Sequence, residues 1–117
     1  MNLDFSNVDE LLKKAKDENL FEKLLLQLLK DFGLANIQID IVSSVLPEEL
    51  KNILHEKVYV LLMERFSEYL NLLYIVDVPE KAFKEIHVTD VVEVAEQVSF
   101  LILKREMQKV LLKAKYS

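Results

Sequence analysis

Nothing between Pro47 and Pro79, the only prolines of the chain, interrupts a helix. No glycine falls in that interval, and its apolar residues recur at three- and four-residue spacing. The sole glycine, Gly33, precedes it. A chain of 117 residues with three such breakers cannot make the frequent turns of an all-β fold. Its 51% hydrophobic content is too high for a disordered polymer. The expectation is therefore an all-α fold, a compact bundle of four to five helices in a single domain over residues 1–117.

The first helix opens near Ser6 or Asn7, where Asn7 can form a capping box with Glu10, and shows a stripe of Val8, Leu11, Leu12 and Ala15. Phe21, Leu24, Leu25, Leu28, Leu29 and Phe32 would lie on nearly the opposite side of a continuous helix, so a break is expected at residues 16–19. Gly33 is well placed as the left-handed residue that ends the second helix. Residues 36–41 alternate polar and apolar, as do 85–88, and this leaves open a minimal two-stranded ribbon between 37–41 and 85–88 against a plain connector. Pro47 suits the first position of a helix running to Val76, with Val45 and Leu50 as a hydrophobic staple. The polar face of that helix rotates along its length, which predicts a bend or a change of neighbours. One further turn is expected over 79–84. The last helix opens at Thr89 or Asp90, where Asp90 can box with Glu93, and runs to about residue 115. Val91, Ala95, Val98 and Ile102 share one of its sides, while Phe100, Leu103, Met107 and Val110 lie largely on the other.

The chain lacks the parts for most chemistry. With no cysteine it has no disulfide, thiolate metal site or thiol nucleophile. One glycine cannot build a phosphate loop or a nucleophile elbow. The two histidines, His55 and His87, fit neither a Glu-x-x-His di-iron pattern nor an H-E-x-x-H zinc pattern, and His55 reads as a surface residue. The carboxylate pairs Glu64/Glu68 and Glu93/Glu96 have no accompanying nucleophile and read as solvated faces. No catalytic residue, metal or cofactor is expected. The N-terminus has neither the charge nor the apolar run of a signal peptide, no segment is apolar enough to span a membrane, and a cytoplasmic setting is expected.

The charge is unevenly distributed. Residues 104–115 carry five cations against Glu106, a net +4, so the rest of the chain holds −9 of the overall −5. Arg105, Lys109 and Lys113 repeat at four and form a basic stripe that could grip phosphates, although the overall acidity disfavours nucleic acid as a partner. The leucine- and tyrosine-rich stretch 69–76 is apolar nearly all round. The expected function is a non-enzymatic interaction module that forms a homodimer through Tyr69, Leu72, Tyr74, Ile75, Met107, Leu111 and Leu112. The competing expectations are an apolar small molecule held between the long helices and a nucleic-acid accessory role for the basic stripe.

Overall fold

The computed structural model describes residues 5–116. Among these it forms six helices: α1 (Val8–Asp17), α2 (Phe21–Leu34), α3 (Pro47–Glu64), α4 (Phe66–Val76), α5 (Glu80–Phe83) and α6 (Val91–Tyr116). There is no strand among them. The architecture is all-α, with six helices where the sequence pattern suggested four or five. The single turn α5 falls where a turn was expected over 79–84, and the sixth helix comes from the division of the long Pro47–Val76 run. No helix is long and apolar enough to cross a membrane among the described residues.

Helix starts follow the capping signals. The Asn7 side chain accepts the Glu10 N–H at 2.9 Å, and Asp90 accepts that of Glu93 at 2.9 Å. Glu49 accepts the Leu46 N–H at 2.8 Å, with Pro47 opening α3 and both staple residues, Val45 and Leu50, buried. Three helices stop by a left-handed residue, and in each case it is Asn or Asp. Asn19 (φ 58°), Asn36 (φ 59°) and Asp77 (φ 67°) take that conformation. The Leu20 N–H then reaches Ala15 O, and the Ile37 N–H reaches Phe32 O, closing Schellman turns. Gly33, expected at this position, instead lies inside the last turn of α2 at negative φ. The helix continues past it because Asn36, three residues on, supplies both a tolerated left-handed conformation and an exposed polar side chain.

The expected ribbon is absent among the described residues, although the alternation behind it has a physical counterpart. Ile37, Ile39 and Ile41 are buried while Gln38, Asp40 and Val42 are exposed, so this segment is an extended strap laid against the helices. Its supposed partner is occupied elsewhere. The Gln97 side chain donates to His87 O and accepts from the His87 N–H, both at 2.9 Å, and so takes the main-chain groups a strand would have used.

The helix expected over 47–76 breaks at Arg65, which has φ −140° and ψ 56° and serves as the last cap of α3 and the first of α4. The break lets α3 pack on α1 and α6 while α4 reaches α2 as well as α6. Helix α6 is the spine, in contact with α1, α2, α3 and α4. Its buried residues are Ala95, Val98, Ser99, Ile102, Leu103, Glu106, Met107 and Val110. They form one continuous face rather than the two opposed faces read from apolar residues alone. Phe100 and Leu101 are only half-buried, whereas Ile102 and Leu103 are fully enclosed.

Candidate functional site

The buried face of α6 contains an acid. At 100° per residue, Glu106 lies about 20° from Ala95, in the middle of the sector between Val98 and Met107. It has 0% exposure. Asp31, on the edge of the buried face of α2, is also enclosed, and so is Gln27 one turn before it. Lys109 connects them. Its Nζ lies 2.7 Å from Asp31 Oδ2 and 3.3 Å from Glu106 Oε1, and it donates to Ile75 O of α4 at 3.4 Å. Gln27 Nε2 donates to Asp31 at 3.2 Å, and Lys113 Nζ donates to Gln27 Oε1 at 2.6 Å.

One ammonium can neutralise one carboxylate. Asp31 takes that role. Burial opposes its ionisation, but hydrogen bonds from Glu106, Lys109 and Gln27 hold its carboxyl below the usual range. Glu106 is left with no counter-charge of its own. Burial, reinforced by the hydrogen bond and negative charge of Asp31, pushes it up to about 9. Neither of its oxygens accepts a hydrogen bond. At neutral pH Glu106 therefore holds its proton. The cluster is uncharged in total and ties α2, α4 and α6 together. Both carboxylates are enclosed, so the arrangement is a clasp inside the bundle.

The basic stripe is thereby accounted for. Lys109 is engaged with Asp31, and Arg105 donates to Asp77 O at 3.0 Å and to Asp77 Oδ2 at 3.2 Å, holding the end of α4. Only Lys113, hydrogen-bonded to a neutral amide, keeps an uncompensated charge at the surface. No group of three His, Cys, Asp or Glu arranged to hold a metal occurs among the described residues. His55 was read as a surface residue but is half-buried. Burial lowers its pKa, partly offset by Glu96, and its Nε2 has no hydrogen-bond partner. It sits in a cleft with Asn52, Glu56, Tyr59, Val92 and Glu96.

The residues expected at a subunit interface separate. Tyr69, Leu72 and Met107 are buried within this one chain, where they belong to its core, so they offer no surface to a second copy. Ile75 and Leu111 are half-buried; Tyr74 and Leu112 are exposed. The stretch 69–76 is covered on one side by the rest of the fold and bare on the other. That bare side carries Phe66, Leu70 and Tyr74, which are 55%, 52% and 81% exposed and spaced by four. Ser67 and Asn71 complete it, and the one charged residue of α4, Glu68, stands at its edge, 3.3 Å from Arg65. Met63, exposed just before the break, extends it. Asn71 also donates to Ala35 O at 3.4 Å, bringing the end of α2 and the exposed Leu34 alongside.

Comparison with known protein families, with curated proteins and with solved structures finds no match.

Proposed function

We propose that the protein is a non-enzymatic interaction module that pairs with a second copy of itself through the outer face of α4. One observation carries the reading: in a chain with 30% charged residues, the outer sector of α4 is formed by Phe66, Ser67, Leu70, Asn71 and Tyr74 alone, and the one charge of the helix, Glu68, stands at its edge paired with Arg65. Solvated helix faces normally alternate charge, and an uncharged apolar one marks a contact surface.

A second copy is the occupant this face suits best. Phe66, Leu70 and Tyr74 form a straight seam at four-residue spacing. A two-fold axis through Leu70 sets Phe66 of one copy against Tyr74 of the other, and the same residues serve both sides. Met63 and the three seam residues expose on the order of half of the roughly 800 Å² per partner in a standard stable interface. The dimer is accordingly weak and concentration-dependent. Each copy carries −5, so screening by salt strengthens the pair. The cytoplasm is the compartment proposed for it.

Sedimentation equilibrium tests this. The weight-average mass should rise from that of one chain toward two as concentration increases, more readily at high salt, and Leu70→Glu should hold it at one. A one-chain mass for the unaltered protein at every concentration would refute self-association.

A further inference from the structure

A second apolar surface lies away from α4 and differs from it in charge. Helices α2 and α6 enclose an open groove of about 340 Å³, lined by Leu26, Val110 and Ala114 and bordered by Lys23, Lys30 and Lys113. Leu26 is 66% exposed and forms its outer wall. Beyond that ridge a second hollow, with Leu29 and Val42, continues the apolar surface. Among the described residues the three lysines have no carboxylate partner. The ion pairs among the described residues engage other cations, and Lys113 meets only the Gln27 amide. In an acidic molecule this is a local concentration of unneutralised positive charge around greasy walls.

We infer that this groove docks an acidic amphipathic helix from another protein, its apolar side chains seated against Leu26, Val110 and Ala114 and its carboxylates facing Lys23, Lys30 and Lys113. The dimensions agree. From Lys23 to Lys30 is about 10 Å along α2, which spans two turns of a docked helix. Two parallel ridges with a trough between them receive a helix face, whereas an amphiphilic small molecule in so open a groove would leave much of its chain in water. An anionic bilayer senses the charge of the whole molecule, which is −5, and anchoring to it generally takes a larger basic cluster than three lysines. Among the described residues the apolar faces of α1 and α3 are buried in the core, so neither of these helices is free to fill the groove.

The probe is a fluorescein-labelled peptide of about 14 residues, leucine at i, i+3 and i+7 with glutamates alongside. Its counterpart has lysine in place of every glutamate. Polarisation should rise on titration with the protein for the acidic peptide and not for the basic one. Binding should weaken with salt, opposite in sign to the salt response of the α4 pair. Amide shifts in a heteronuclear NMR spectrum should cluster on residues 23–30 and 110–114. The double change Lys23→Glu/Lys30→Glu should weaken binding about tenfold or more while leaving the melting temperature in place, since both side chains are exposed. Leu26→Asp should abolish it. Equal binding of the two peptides, shifts centred elsewhere or no polarisation change would overturn the inference. Co-sedimentation with phosphatidylglycerol vesicles in the absence of peptide binding would reassign the groove to a membrane. Movement of the same amides on raising protein concentration alone would reassign it to a second copy.

Discussion

Replacing Glu106 with Gln should make the protein more stable, by an amount that grows with pH. In the unfolded chain a glutamate ionises near 4.5, whereas in the fold Glu106 ionises only at about 9. Below 4.5 both states hold the proton and burial carries no ionisation penalty. As pH rises, the unfolded state gains by ionising and the folded state does not, so stability falls across the window from 4.5 to 9 by about 1.4 kcal/mol per unit. At pH 7 the accumulated penalty is about 3 kcal/mol, and at pH 8.5 about 5 kcal/mol. Gln has no proton to lose, occupies the same volume and donates to Asp31 from its amide. Glu106→Gln should therefore match the parent near pH 5 and exceed it by about 3 kcal/mol at pH 7, roughly 10 °C in melting temperature for a chain of this size. Asp31, whose carboxyl is held low, changes stability only below its ordinary range, outside this window. His55 affects both proteins alike and cancels in the difference. Urea unfolding followed by circular dichroism at pH 5, 7 and 8.5 measures it. A difference that stays constant across those three values would refute the protonated clasp.

Lys109→Met removes the one cation beside two buried carboxyls and should lower stability by about 3–5 kcal/mol, and adding Asp31→Asn should restore part of the loss; thermal unfolding of the single and double variants checks it. Gly33→Ala should raise stability by about 0.5–1 kcal/mol, because an added Cβ meets nothing within 4 Å and Gly33 is helical, whereas Asn36→Ala should lower it by about 1 kcal/mol at a left-handed position. Reversed signs in chemical denaturation would contradict the observed end of α2. His55 ionises below its usual value in the fold, so the unfolded state binds the extra proton first and stability should fall as pH drops below about 6.5; His55→Leu should flatten that part of the profile.

The sequence was most informative where one residue type has one local use. Asn7, Pro47 and Asp90 began helices because their chemistry suits a cap or a first turn, and those bonds do not depend on distant packing. The alternation at 37–41 correctly marked which side chains are buried. It could not say that they lie on helices rather than in a sheet, since burial on one side requires only a surface. Arg65 gave no warning of the break, being neither Pro nor Gly; the change of neighbours along 47–76 was legible, its position was not. Glu106 shows the opposite case. It was counted as the one acid among the terminal cations, yet its angle on the helix places it amid Ala95, Ile102 and Val110, and a wheel drawn without regard to residue type would have found it. The same wheel sets Lys109 toward the buried side, which is why the basic stripe is drawn inward at that residue while Lys113 stays at the surface. For the α4 surface, the sequence indicated the helix and missed the face, because a segment apolar all round does not reveal which side the fold covers.

The central claim, that the uncharged side of α4 joins two copies, can be tested with a single introduced thiol, since the chain has no cysteine to confuse the result. Leu70→Cys puts that thiol on the proposed two-fold axis; Val88→Cys, outside α4 and more exposed (86% against 52%), is the control. Under mild oxidation at the concentrations where the mass rises, the account predicts rapid disulfide-linked dimer for Leu70→Cys and little for Val88→Cys. Cross-linking at the same slow rate for both would contradict it.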